Sequence, residues 1–183
     1  QKGPSVVILS DARSWLNRHL PPLLRTLLER GHRVCWSSDA KTVPSADLCF
    51  LLSWGRIVDA TFRARFRHVL VVHASDVPRG RGWSPLTWRI LEGAKETVVS
   101  LLEAEDPVDS GVIYRQERVE FSGNELLPEL QNILGESTVR LCSEAIAAVA
   151  EGRLAARPQE GDPTWYRRRK PEDSRLDPER SLG

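Results

Sequence analysis

Four short apolar runs constrain this chain more than anything else in it. They are Ser5–Ser10 (SVVILS), His32–Trp36 (HRVCW), Ala46–Ser53 (ADLCFLLS) and Val69–Val72 (VLVV). Compact apolar runs of this length read as strands. Between the first two, Trp15–Arg30 carries Trp15, Leu16, Leu20, Leu23, Leu24, Leu27 and Leu28 on one broad helical face. Strand, helix, strand, loop, strand is the order that gives a parallel sheet with right-handed crossovers. The fold class is α/β: a mostly parallel twisted sheet with helices on both faces. Such sheets build their sites at the carboxyl ends of the strands.

Local signals punctuate that frame. Ser14 is a candidate N-cap for the first helix, Pro21-Pro22 should kink or break it, and Gly31 suits its C′ position. Thr61–Arg67 (TFRARFR) reads as a short basic amphipathic helix. Ser84-Pro85 is an N-cap and N1 pair for another. Val112–Phe121 alternates apolar and polar, as an antiparallel edge strand does. Gly123-Asn124-Glu125 opens a long helix ending near Glu151, with Gly135 placed to break it in two. Composition changes after Gly152. Residues 1–156 read as one domain. Residues 157–183 read as a polar, proline-rich C-terminal arm: a lid, a strap across the body, or a linker.

The net charge of +1 supplies no field that would draw nucleic acid or membrane. No run approaches the ~18 apolar residues of a membrane span. Cys35, Cys49 and Cys142 are few, odd in number and set in apolar runs. They read as free thiols of a reducing compartment, which places the protein in the cytoplasm. No CxxC or histidine spacing suggests a metal. The start, Gln1-Lys2-Gly3-Pro4, lacks a methionine and reads as processed.

The chemistry concentrates between His73 and Gln116. His73 ends the fourth apolar run, the glycine turn Arg79-Gly80-Arg81-Gly82 follows, and an acidic loop runs from Glu103 to Asp109. His73 and Asp109 lie 36 residues apart, each at the end of an expected strand. If the two ends converge, the carboxylate favours an imidazolium. That imidazolium could stabilise an oxyanion at a carbonyl carbon or exchange protons with an attacking amine. A surface histidine and an unrelated turn aspartate would also give this spacing. Arg79 and Arg81 could meet a phosphate or be solvated. The glycine turn is neither a dinucleotide fingerprint nor a P-loop. Ser75 has no GxSxG elbow, so it is no hydrolase nucleophile. Trp83 and Trp88 read as packing residues. Trp165 and Tyr166, in the polar arm, are better ligand contacts. The run Arg167–Lys170 is flanked by Glu172, Asp173, Asp177 and Glu179, which makes a solvated charged arm a better reading than an RNA surface.

Taken together, Val71-Val72-His73-Ala74-Ser75-Asp76-Val77-Pro78, then GRGWSPLTW, then Val108-Asp109-Ser110-Gly111, and the tail Pro163–Asp177 resemble the folate-dependent formyltransferases of methionyl-tRNA, glycinamide ribonucleotide and amino sugars. The resemblance covers nearly the whole chain and implies the Rossmann-like formyltransferase fold with an extended C-terminal arm. It implies formyl transfer from 10-formyltetrahydrofolate, with His73 and Asp109 catalytic and no metal. Trp54, Gly55, Arg56 and Ile57 would line one side of the folate, and Glu105, Asp106, Pro107 and Val108 would offer backbone groups to the pterin. Ser75, Arg79, Arg81, Trp165 and Tyr166 would meet the acceptor. The family's catalytic asparagine falls on Val71, whose side chain donates no hydrogen bond. Losing one such donor costs about 2.7–4 kcal/mol of transition-state stabilisation. The form HxSDxPxGRGWSP resembles the amino-sugar branch, including formylation of pseudaminic-acid-type sugars. That branch implies a nucleotide-linked amino sugar as acceptor, no nucleic-acid or membrane partner, and room for a homodimer. The alternatives are a methionyl-tRNA or other amine formyltransferase, a catalytically weak folate-binding domain, and formyl-folate hydrolysis. The resemblance also implies sequence continuing past Gly183.

Overall fold

The computed structural model describes residues 3–175. Gln1-Lys2 at the start and Asp177 and Glu179 beside the basic run lie outside the described residues. The strands are β1 (Val6–Leu9), β2 (Val34–Ser37), β3 (Ala46–Leu51), β4 (Phe66–His73), β5 (Arg81–Gly82), β6 (Glu96–Glu103), β7 (Ile113–Glu120) and β8 (Trp165–Tyr166). The helices are α1 (Leu20–Glu29), α2 (Ala60–Arg63), α3 (Pro85–Leu91) and α4 (Leu127–Ala150). A six-stranded sheet has the order β2-β1-β3-β4-β6-β7. β2, β1, β3 and β4 are parallel, and β6 and β7 complete the sheet antiparallel. β1 is buried throughout, as a central parallel strand covered on both faces must be.

Two cores flank the sheet, and β4 divides its side chains between them. Leu70 and Val72 join a core beneath α1, α4 and the 3-10 turn Trp15–His19. Val69 and Val71 join the other, with Phe62 of α2 and the loop residues Val43 and Val58. Helices lie on both faces, unevenly. The prolines behave as expected: Pro21 and Pro22 occupy the first turn of α1, where their missing N–H groups cost nothing, and a 3-10 turn precedes them. Ser14 caps that turn by accepting from the Leu16 N–H at 3.1 Å. Gly31 closes α1, with the His32 N–H on the Leu27 carbonyl at 3.0 Å. β7 is the antiparallel edge strand.

Three expectations are corrected. The Thr61–Arg67 helix is only the short α2, and Phe66 already belongs to β4. Phe62 and Phe66 have helical i,i+4 spacing, and their rings do meet at 5.1 Å, but across a helix-to-strand junction. Ser84 precedes α3 but makes no side-chain cap; its backbone is left-handed, φ 50°. Gly135 does not break α4. It is buried against His19, and a Cβ there would lie 2.5 Å from the ring. Gly135→Ala is expected to destabilise the protein by about 1 kcal/mol in urea denaturation: overpacking costs about 1–3 kcal/mol and helix propensity returns about 1.

All three cysteines are free, with Cys49 and Cys142 buried and Cys35 half-buried. Burial pushes the Cys49 thiol up to about 12 and raises that of Cys142 as well. Among the described residues, no helix is long and apolar enough to cross a membrane.

The arm is strapped across the body. β8 pairs in parallel with β5, and Arg157 forms a β-bridge with Ile113. Gly82 permits this contact: φ is 95°, and a Cβ would lie 2.5 Å from the Tyr166 carbonyl oxygen.

Candidate active site

A cleft of about 670 Å³ opens at the carboxyl ends of the parallel strands. Its wall carries three non-glycine residues with left-handed backbone, Ser53 (φ 51°), Ser84 (φ 50°) and Asp109 (φ 60°). Among the described residues these are the only non-glycine positions with positive φ. Strained backbone gathered at one cavity is characteristic of a functional site.

His73 and Asp109 meet in this cleft. Both are buried. His73 Nδ1 lies 3.7 Å from Asp109 Oδ2, an ion-pair distance rather than a hydrogen bond. His73 Nε2 is 2.8 Å from the Gly80 carbonyl, to which it donates. The Gly82 N–H donates to Asp109 Oδ2 at 2.9 Å. The glycine turn thus accepts from the histidine and donates to the aspartate, fixing both. The two do not converge as twin ends of parallel strands. β6 runs antiparallel to β4, and the acidic loop after it folds back to deliver Asp109. Gly111 allows that return by packing directly on the Glu103 carbonyl, where a Cβ would collide with the backbone.

Opposite, Trp54, Gly55, Arg56 and Ile57 line the cleft, as do Glu105, Asp106 and Val108. The Gly55 N–H donates to Asp11 Oδ2 at 2.9 Å, and the Arg56 guanidinium lies 4.1 Å from the Trp54 ring centroid. Arg63 of α2 pairs with Asp106 at 2.5 Å and ties down the acidic loop. The Trp54 indole N–H is buried without a partner. Val71 also lines the cleft, two residues before His73 on the same face of β4.

Several expected contacts fall elsewhere. Ser75, Arg79, Arg81 and Pro107 do not line the cleft. Ser75 is buried beneath Gly80, and Arg79 and Pro107 are exposed. Arg81 is covered by the arm, and its guanidinium donates to Gln159 Oε1 at 2.6 and 3.2 Å. Trp165 and Tyr166 do line the cleft. Tyr166 stacks on Trp88 at 6.0 Å, and its hydroxyl donates to Glu92. Trp88 packs as expected, but Trp83 is exposed on the cleft wall beneath the Arg168 guanidinium. Arg167 is paired with Asp173, so the basic run is partly neutralised. Asp11, Gln159 and Thr164 carry contacts that the residue pattern did not flag. Among the described residues, no group of three or more His, Cys, Asp or Glu is arranged to hold a metal ion.

Residues 38–146 match the formyl transferase family. This chain belongs to that family. The matched span contains His73, Asp109 and the acidic loop, and ends before the arm. The methionyl-tRNA formyltransferase of Sorangium cellulosum is 33% identical over 171 residues, covering 88% of this chain and 55% of that protein. The chain spans about half the length of such curated relatives. Among solved structures, the methionyl-tRNA formyltransferase from Clostridium thermocellum superposes with a TM-score of 0.82 at 22% identity, over 97% of this chain and 78% of that one. The formyltransferase PseJ from Anoxybacillus kamchatkensis, solved with UDP-4,6-dideoxy-4-formamido-L-AltNAc and tetrahydrofolate, gives 0.65 at 20% identity, over 92% and 88%. At these identities the structures establish the shared formyl transferase fold: a mostly parallel, Rossmann-like sheet.

Proposed function

We propose that this chain transfers a formyl group from 10-formyltetrahydrofolate to a primary amine, with His73 and Asp109 at the reacting centre. The observation that carries the reading is the buried pair in the cleft, held by opposite ends of one glycine turn. The orphaned Trp54 indole N–H fits a bound heterocycle, because a buried donor without a partner costs about 1–3 kcal/mol until an acceptor arrives.

10-Formyltetrahydrofolate would supply a carbonyl carbon already activated towards amines. The attacking nitrogen forms the new C–N bond, the bond to folate N10 breaks, and the proton shed by the amine ends on N10. His73 stands beside the developing oxyanion as a hydrogen-bond donor, and Asp109, 3.7 Å from its Nδ1, orients the ring. Both ring nitrogens face protein groups at rest. Proton exchange through His73 therefore requires substrate to displace the Gly80 carbonyl.

Two acceptors have separate support. Methionyl-tRNA is supported by the curated relatives, which bear that name. A nucleotide-linked amino sugar is supported by the near-neutral charge, by the pairing of Arg167 with Asp173, and by the likeness to PseJ. Turnover with each, on the same preparation, separates them. A catalytically weak folate-binding domain is favoured by one observation, Val71 on the cleft wall; folate binding without transfer to either amine would establish it.

Calorimetric titration with 5-formyltetrahydrofolate tests the site itself. Asp109→Ala removes a charge-assisted bond to the Gly82 N–H and frees the acidic loop. A bond of that kind is worth about 1.5–3 kcal/mol, so affinity should fall about tenfold or more. Folded wild type that binds no folate would overturn the reading.

A further inference from the structure

We propose that Gln159 is a positioning residue of the active centre, so that the arm completes the site rather than merely covering it. The inference rests on the reading of His73 and Asp109 as the reacting pair. The Gln159 amide nitrogen donates to the Asp109 and Gly111 carbonyls, both at 2.8 Å. Its carbonyl oxygen accepts from the Arg81 guanidinium. A guanidinium only donates, so the amide has one possible orientation. Both donor hydrogens are committed to the loop that presents Asp109.

That grip matters because Asp109 has a left-handed backbone, φ 60°, which a free loop would rarely hold. Gln159 clamps the carbonyl of Asp109 and that of the residue two further on, fixing the peptide units after the strained one. The neighbouring arm residue Thr164 holds the other half of the pair. Its hydroxyl accepts from the Gly80 N–H at 2.8 Å, and the Gly80 carbonyl accepts from His73. Arg81, the buried partner of Gln159, lies between Gly80 and Gly82, the residues that bind His73 and Asp109. One short stretch of arm thus holds both members of the pair through the groups beside them. Its bonds to the Asp109 loop are to backbone carbonyls, and Gln159 lies outside the lining of the cleft.

The test compares Gln159→Met, which keeps length and loses the donors, with Gln159→Asn, which keeps the amide but cannot span both carbonyls. The first readout is the backbone amide resonance of Gly82 by NMR, because its N–H donates to Asp109 Oδ2, with Asp109→Ala as reference. Both Gln159 variants should move that resonance towards the reference, as expected when the carboxylate that the Gly82 N–H donates to moves away. The second readout is turnover of 10-formyltetrahydrofolate with methionyl-tRNA and with a UDP-linked amino sugar. kcat should fall about tenfold or more, by a larger factor than KM for folate rises, because misplacement strikes the reacting pair directly while Arg63 still ties down the acidic loop at Asp106. A wild-type Gly82 resonance and kcat in a folded variant would overturn the proposal. So would equal losses in every parameter together with a lower melting temperature, which mark a structural strut. If Gln159→Met fails to fold, Gln159→Asn decides alone. If wild type neither binds folate nor transfers formyl, the catalytic reading falls, and the Gly82 resonance still decides whether Gln159 holds Asp109.

Discussion

His73→Ala is expected to lower formyl transfer by about 10²–10⁴-fold, the usual range for loss of a positioned acid–base group. Binding of 5-formyltetrahydrofolate should change far less. Trp54, the Gly55–Ile57 turn and the acidic loop belong to other strands, and Asp109 keeps its bond to the Gly82 N–H. The fold supplies a demanding control. His68, half-buried, is also paired with a carboxylate: its Nδ1 is 3.2 Å from Glu103 Oε2, and the Tyr114 hydroxyl donates to the same oxygen. Burial and that acceptor push the Tyr114 phenol well above its usual value. By its carboxylate partner alone, His68 is as good a candidate as His73. It differs in place, since neither His68 nor Glu103 lines the cleft. His68→Ala should therefore lower the melting temperature and leave turnover per folded molecule near wild type. Retention of more than about a tenth of wild-type turnover by His73→Ala, or equal loss in both variants, would remove His73 from the chemistry.

The contrast between these two histidines shows how far sequence reading could reach. A histidine ending an apolar run could be assigned to a strand end, because burial of a parallel strand on both faces leaves that run in the sequence. His68 lies within the same strand and carries no such mark; its carboxylate arrives from an antiparallel neighbour 35 residues away. The spacing of His73 and Asp109 was readable, but the route was not: Asp109 is delivered by a loop that doubles back past Gly111. The short α2 was overread because Phe62 and Phe66 satisfy helical spacing while belonging to different elements. The residue pattern offers Arg81 to a phosphate, an acceptor or solvent, because its burial depends on the arm, and the arm docks through backbone bonds between β5 and β8. Backbone pairing leaves little trace in side-chain pattern. Gln159 was invisible for the same reason: a glutamine in a polar, proline-rich segment looks solvated until its partners are known.

Val71→Asn is expected to raise kcat by about 10²–10³-fold, the size of effect attached to a single oxyanion donor. Positions 71 and 73 point to the same face of β4, and both line the cleft. An asparagine amide at 71 would stand beside His73, where the valine methyls can donate nothing. Val71 packs at the edge of the second core, so the change has a cost in the empty protein. A half-buried amide without a partner loses about 1–3 kcal/mol, so the variant should melt earlier and regain stability with bound folate. Opposite movement of turnover and stability separates a restored donor from general repair of the fold. Unchanged kcat would mean that the oxyanion already has its second donor. The Trp54 indole N–H is the first group to examine, because it is buried, unpartnered and on the same cleft. Replacing Trp54 by Phe keeps the ring and removes the N–H. If Val71→Asn has no effect and Trp54→Phe slows transfer, this chain has moved the donor from the strand to the loop after β3. If Trp54→Phe weakens folate binding and leaves kcat alone, the indole serves the bound heterocycle, and the reaction proceeds with His73 as its principal electrostatic support.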